Sequence, residues 1–208
     1  IIMGLNSSNS GNPPSSDINS GELVLESNVP AMEYLMLQGG QFSKSRKHAV
    51  WLPSFLEHHN PDTLRYFLSI NMPEGHDTDF RWEEYVDKVN NELIGTYGNF
   101  VHRVMTLSHR LDSENGINPL LQYFDSSEHV EANEKIQTLL ESAITSMEKQ
   151  RFKEALRSLM NISQIGNGLI QHSEPWKYMR EEDSPEKSKS LSTLAYCWKI
   201  CRGLAITL

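Results

Sequence analysis

Two glycines, two hydroxyls and two cations crowd into eight residues, Gly39-Gly40-Gln41-Phe42-Ser43-Lys44-Ser45-Arg46. The glycines loosen the backbone, so the loop can hinge. Lys44 and Arg46 can then meet the charge of a polyphosphate over which it closes. On composition alone a solvated basic turn is the simpler account. A second set of candidates lies further on, in a stretch with helical periodicity. At 100° per residue Thr96, Asn99, Arg103, Thr106 and Arg110 share one flank, with Asn99 and Arg103 as i,i+4 neighbours. Their amide and guanidinium donors suit the edges of unstacked bases. Spacing by itself fits an ordinary polar pair equally well. Trp176 follows Ser173-Glu174-Pro175, where an indole can either stack on a base or pack as a helix cap. His102 reads as a surface residue.

The remaining chemistry is sparse. Cys197 and Cys201 stand i,i+4 and are the only cysteines. Structural zinc needs four ligands, and neither His58-His59 nor His172 is near in sequence, so the pair reads as two small buried hydrophobes. No metal site and no disulfide framework are expected, and a reducing compartment fits. No apolar run approaches the roughly 20 residues of a membrane span. The opening Ile1-Ile2-Met3-Gly4-Leu5 lacks the basic and apolar regions of a signal peptide. The net charge is −8, split as −5 over residues 1–80 and −3 over 81–208. Phosphate is met by Lys and Arg, so any RNA contact must be a local patch on an acidic protein.

The elements that must position these residues can be read from caps and periodicity. Residues 6–22, rich in Ser, Asn, Gly and Pro, read as a flexible insertion. Glu33–Leu37 reads as a buried strand stopped by Gly39-Gly40. Asn60-Pro61 starts a short helix with Leu64, Phe67 and Leu68 inward, and Pro73-Glu74-Gly75 closes it. Thr78 or Asp79 is the expected cap of a long helix whose apolar face runs from Trp82 through Val86, Val89, Leu93, Tyr97, Phe100, Val104 and Leu107 to Leu111. A second helix is expected near 129–148, with Ile136, Leu139, Leu140, Ala143, Ile144 and Met147 inward. A third starts near Arg151 and loosens around Gly166 and Gly168. A fourth starts at Ser184-Pro185 and is still periodic at Leu208, so it reads as truncated. Long helices with short connections predict an antiparallel bundle after a mixed α/β segment, divided near residue 75.

The order of motifs adds a resemblance. Gln41-Phe42-Ser43-Lys44-Ser45 resembles the KMSKS signature of class I aminoacyl-tRNA synthetases. It is followed by Asn60-Pro61-Asp62-Thr63-Leu64-Arg65, Pro73-Glu74-Gly75, Asp79-Phe80-Arg81-Trp82, Asn90-Asn91-Glu92-Leu93 and Gly98-Asn99-Phe100-Val101-His102-Arg103. This series is similar to the methionyl-tRNA synthetase family over essentially the whole chain. The Asp79-Phe80-x-Trp82 and Gly98–Arg103 strings separate it from leucyl- and valyl-type enzymes. A lone Ser-Lys-Ser would be weak evidence; the ordered series is specific.

The resemblance implies a mainly α fold: the end of a class I Rossmann-type catalytic domain (1–75), then an α-helical anticodon-binding bundle (76–208). It implies ATP-dependent attachment of methionine to tRNA(Met), with the loop Phe42, Ser43, Lys44, Ser45 and Arg46 as a mobile ATP lid. Lys44 is then the catalytic cation, and Asn99, Arg103 and Trp176 are the residues that read the CAU anticodon. Gln41 replaces the signature's first lysine, and Lys47-His48 stands where a glycine usually follows the arginine, which should stiffen the lid. The family's HIGH motif, zinc-knuckle cysteines and methionine pocket have no counterpart. ATP with Mg2+, and zinc in an upstream part, therefore belong to a longer parent, while this chain alone is expected to be inactive and to hold no cofactor. An opening on Ile1-Ile2 also fits a piece cut from a longer protein. The expected partner is the tRNA(Met) anticodon stem-loop and the expected compartment the cytoplasm, without a membrane. Rival readings are a stand-alone tRNA-binding module, which would have no use for an ATP lid, and a helical scaffold without an RNA role.

Overall fold

The computed structural model describes residues 29–111, 118–124, 128–179 and 184–207, so the expected flexible insertion at 6–22 lies outside the described residues. Glu33–Leu208 forms one compact unit, and the expected division near residue 75 falls within it.

The unit begins with a small three-stranded sheet of order β2-β1-β3. Strand β1 (Leu35–Leu37) turns through Gln38 and Gly39 into antiparallel β2 (Gly40–Gln41). Both turn residues have positive φ, 50° and 77°, the pattern of a two-residue hairpin that follows the strand twist. Strand β3 (Thr78–Phe80) pairs parallel to β1. Between them lie α1 (Leu52–Leu56) and α2 (Pro61–Ile70). Helix α2 starts as its sequence predicts: the Asn60 side chain accepts the Asp62 N–H at 2.8 Å, and Pro61 fills the first position. Phe67, Phe80 and Phe55, all buried, form the core of this end together with Leu37 and Tyr85.

The expected cap at Thr78 or Asp79 is a correction. Both belong to β3, and the helix opens at Trp82 after Arg81, which makes no side-chain cap. A short polar residue ahead of a helical pattern can pin a turn instead of capping, and Asp79 does so. Its carboxylate accepts the Gly39 N–H at 2.9 and 3.1 Å and the Arg81 Nε–H at 2.8 Å.

The long helix that follows is also not regular. Helix α3 (Trp82–Asp87) runs into a π-helical segment, Lys88–Gly98, and then α4 (Asn99–Leu111). Each π turn takes one residue more than an α turn, so the apolar stripes on either side are offset. Trp82 and Val86 consequently do not join the bundle face: Val86 is exposed, and Trp82 packs edge-on against Phe80. Sequence hints at the cause only through Gly95, where a Cβ would lie 2.9 Å from the Asn90 carbonyl oxygen. The Thr96 hydroxyl donates to the Asn91 carbonyl at 3.1 Å, filling one of the widened turns.

The bundle is completed by a 3₁₀ turn (Asn118–Tyr123), α5 (Val130–Glu148), α6 (Phe152–Ser173), the short α7 (Pro175–Tyr178) and α8 (Pro185–Thr207). Its core holds Phe100, Val104, Leu120, Ile162, Ile170 and Leu194, none more than 2% exposed. Ser184 caps α8 as expected, its hydroxyl accepting the Lys187 N–H at 3.1 Å. Ile144 and Met147, expected inward on α5, are more than half exposed, and Ala205 at the end of α8 is exposed too. Ile144 and Met147 line an open cleft with Leu156 of α6 and Thr207 of α8. Gly166 and Gly168 do not loosen α6, which runs unbroken for 22 residues. At Gly166 the Phe100 ring lies against the helix backbone so closely that a Cβ would meet it at 2.3 Å. The glycine is there to admit a phenyl ring.

Two contacts join the sheet end to the bundle within this unit. Tyr66 and Ile70 of α2 pack on Met160 of α6 with Leu93 and Tyr97. The Tyr66 hydroxyl donates to Glu92 Oε2 at 2.8 Å, and burial followed by this carboxylate pushes the phenol well above its usual range. Glu74 Oε1 accepts the Lys153 N–H at 2.9 Å, closing the first turn of α6. No helix among the described residues is long and apolar enough to cross a membrane.

Candidate functional site

The cationic loop is the tip of a second, smaller hairpin. Beyond β2 the chain bridges once more: Ser43 N–H donates to the His48 carbonyl and His48 N–H to the Ser43 carbonyl, each at 2.9 Å. Four residues, Lys44–Lys47, turn between them, with Lys47 N–H reaching the Lys44 carbonyl at 3.1 Å. Lys47 is left-handed at φ 54°. A glycine suits that conformation without steric cost, whereas an L-residue there is strained. Ser43 is the inner hydroxyl of the tip. Its Oγ lies 3.2 Å from Ser45 Oγ and accepts the Arg46 N–H at 3.3 Å. Lys44 and Arg46 are exposed and take part in no ion pair among the described residues. Phe42 is 41% exposed. The hairpin thus presents two free cations and a hydroxyl pair, a surface that can receive phosphate oxygens. Beside it lies a cleft of about 450 Å³ lined by His48, Trp51, Phe55, His59 and Trp82 among others, which sequence reasoning did not anticipate.

Asn99, Arg103 and Trp176 come together at the other end. Helix α4 places Asn99 and Arg103 one turn apart. The Ser173–Pro175 elbow then returns the chain: Glu174 adopts φ 42° and Pro175 starts α7. The elbow sets the Trp176 ring 5.7 Å from the Arg103 guanidinium carbon. Pro175 is fully buried while the indole keeps 38% of its surface, so the proline is the packed member of the pair and the tryptophan the presented one. Two residues missed by sequence reading hold the patch in register. Asn99 Nδ2 donates to Asn167 Oδ1 at 3.3 Å, and Arg103 Nη2 donates to Gln171 Oε1 at 3.1 Å. Asn167 in turn donates to the Thr96 carbonyl at 3.0 Å. The only available signal was their own i,i+4 spacing on α6, and nothing in one sequence says which helix they face. His102 is exposed, with its Nε2 3.5 Å from the Thr106 hydroxyl.

Cys197 and Cys201 are buried, as small hydrophobes would be. Burial raises both thiols, Cys201 to about 12, and the Cys197 Sγ rests 3.8 Å from the Gly166 carbonyl.

Comparison with known proteins bears on the family. A family model described as "tRNA synthetases class I (M)" matches residues 14–105. A methionine–tRNA ligase of Flavobacterium johnsoniae is 40% identical over 173 residues, 82% of this chain and 24% of the relative. One from Pyrococcus furiosus is 36% identical over 187 residues, 90% of the chain and 25% of the relative. Over most of its length the chain is homologous to methionine–tRNA ligases. It spans about a quarter of the length of these relatives. Its fold matches a methionyl-tRNA synthetase of Mycobacterium tuberculosis, solved in complex with methionyl-adenylate, with a TM-score of 0.72. That match covers 85% of this chain and 34% of the other at 21% identity. These relatives do not favour the leucyl- and valyl-type alternative.

Proposed function

We propose that this chain is the part of a cytoplasmic methionine–tRNA ligase that supplies the ATP-site lid and reads the anticodon. Residues 1–75 are the end of the catalytic domain and 76–208 the anticodon-binding domain. In the parent enzyme methionine's carboxylate attacks the α-phosphate of ATP, and the adenylate then esterifies the tRNA(Met) 3′ end. Within that scheme Lys44 brings its ammonium to the charge developing on the triphosphate. Arg46 and the Ser43 and Ser45 hydroxyls line the same tip, and Phe42 leads into it. Mg2+ accompanies ATP. Among the described residues no group of three or more His, Cys, Asp or Glu side chains converges.

The observation that carries the RNA reading is the Arg103–Trp176 pair at 5.7 Å, with Asn99 one turn away. Guanidinium and indole touch at cation–π distance and form one platform on which a base can stack, and the amide is placed to test its edge. Stacking one base on an aromatic is worth about 1–3 kcal/mol by alanine substitution. Trp176→Ala or Arg103→Ala should therefore weaken binding of a CAU stem-loop about tenfold or more. Lys149→Ala, on the exposed turn after α5, should change little. Titrating labelled stem-loops with each variant is the test. Equal binding of CAU and scrambled loops, or equal harm from Lys149→Ala and Trp176→Ala, would overturn the anticodon role.

A further inference from the structure

The hairpin tip has little to hold it by itself. It is one bridged pair, Ser43 and His48, closed by four exposed residues, one of them a lysine in the left-handed region. An isolated hairpin of this size is not stable in water. The stabilising contact comes from His48. Its Nε2–H donates to the Leu37 carbonyl at 2.7 Å. Leu37 is 5% exposed and packs in the core cluster of Phe67 and Phe80. To reach it the imidazole crosses the first residue of β2, where a side chain would crowd it: a Cβ on Gly40 would stand 3.1 Å from His48 Nε2. A second tie, the Asp79 carboxylate on the Gly39 N–H, fixes the other side of the root.

We infer that His48 is the positioning residue of this hairpin, fastening the segment that carries Lys44 to core strand β1 so that the tip is presented already folded. Lys44 and Arg46 stay free, while the backbone beneath them is tied to the interior through one imidazole. The inference rests on the lid reading only for its catalytic consequence. The fastening itself can be measured on this chain without ATP.

The experiment measures hydrogen exchange at the Ser43 and His48 amides, and tryptic cleavage after Lys44, Arg46 and Lys47. His48→Phe keeps a planar ring and deletes the donor; His48→Gln keeps a donor at similar reach. One hydrogen bond of ordinary strength corresponds to about tenfold in local opening. His48→Phe should speed both readouts by that factor, and His48→Gln should stay near wild type. Gly40→Ala, which crowds the ring without changing His48, should speed both readouts in the same direction by a smaller factor. If His48→Phe loses its helical circular dichroism, the Gly40→Ala and His48→Gln variants decide. Wild-type behaviour of both His48→Phe and Gly40→Ala overturns the fastening. So does a His48→Gln variant as loose as His48→Phe. In the full-length parent, ordering lost at the root must be met when ATP binds. His48→Phe should then raise KM for ATP with a smaller change in kcat. Loosening on this chain with an unchanged KM would leave the fastening standing and sink the lid reading.

Discussion

Lys44 illustrates what a single charge does when its surroundings are arranged for it. It sits exposed on a folded turn with no carboxylate paired to it among the described residues, so its ammonium is free to meet an incoming triphosphate. Removing one preorganised donor of this kind slows reactions by roughly a hundredfold or more. Lys44→Ala in the full-length parent should slow methionyl-adenylate formation by that order, measured as ATP–pyrophosphate exchange; wild-type rates would mean that the hairpin is not the lid. His129 shows the reverse use of burial. Its ring stacks on Tyr196 at 4.8 Å, and its Nε2 has no hydrogen-bond partner among the described residues. Desolvation is the main cause of its lowered pKa. Lys189 lowers it further, against an opposing pull from Glu128 and a Ser192 backbone hydrogen bond. A histidine depressed in the fold binds its proton more readily when unfolded. Stability is therefore intact above the unfolded value of about 6.5 and falls as pH drops from there towards the lowered folded value. Wild-type Tm should fall more between pH 7.5 and 5.5 than that of His129→Gln. Parallel curves would remove His129 from the acid response.

At the scale of elements, close approach decides what each helix tolerates. The Phe100 ring occupies the space a side chain at residue 166 would need, and both partners lie in the core. Overpacking of this kind costs about 1–3 kcal/mol. Gly166→Ala should thus lower Tm by several degrees, at about 2–4 °C per kcal/mol for a chain of this size. Calorimetry on the variant checks this, and an unchanged Tm would mean that α4 and α6 can part freely. The same contact marks the limit of what the sequence made legible. Helix starts announced by a capping residue and a proline, Asn60-Pro61 and Ser184-Pro185, appear where expected because both signals are local. The strand ending at Leu37 and the hairpin glycine are local as well. Asp79 has a capping residue's chemistry but spends it on Gly39, forty positions away. Gly166 looks like a weak point until Phe100 is placed beside it. The π segment hides because Trp82-to-Leu111 spacing suits an α-helix equally well. For the RNA-facing patch, residue types and family motif brought out Asn99, Arg103 and Trp176. Asn167 and Gln171 escaped because side-chain pairing across helices leaves no trace in one sequence.

For the molecule as a whole, the net charge of −8 constrains how it can hold RNA. A broad cationic field is excluded, so on the proposed role affinity comes from stacking and directed hydrogen bonds around Arg103 and Trp176. Binding that displaces few counterions depends weakly on salt, with a slope near −0.7 per phosphate contact for single strands. A stem-loop titration between 50 and 200 mM salt should give a log–log slope of about −1 to −2; a slope steeper than about −4 would mean that phosphate attraction dominates and the patch is secondary. Helix α6 adds a mechanical condition. Its 22 residues span about 33 Å at 1.5 Å per residue, anchored at one end by the Glu74 carboxylate on the Lys153 amide and carrying Asn167, Gln171 and the Trp176 elbow at the other. Packed on α5 and α8 and, at Gly166, on the Phe100 ring, it is a beam held along its length, and a tilt of about 5° would swing the far end by roughly 3 Å, the length of a hydrogen bond. On the proposed anticodon role, the tolerance with which a base is inspected is set by side chains all along that beam, most of them where no base ever arrives.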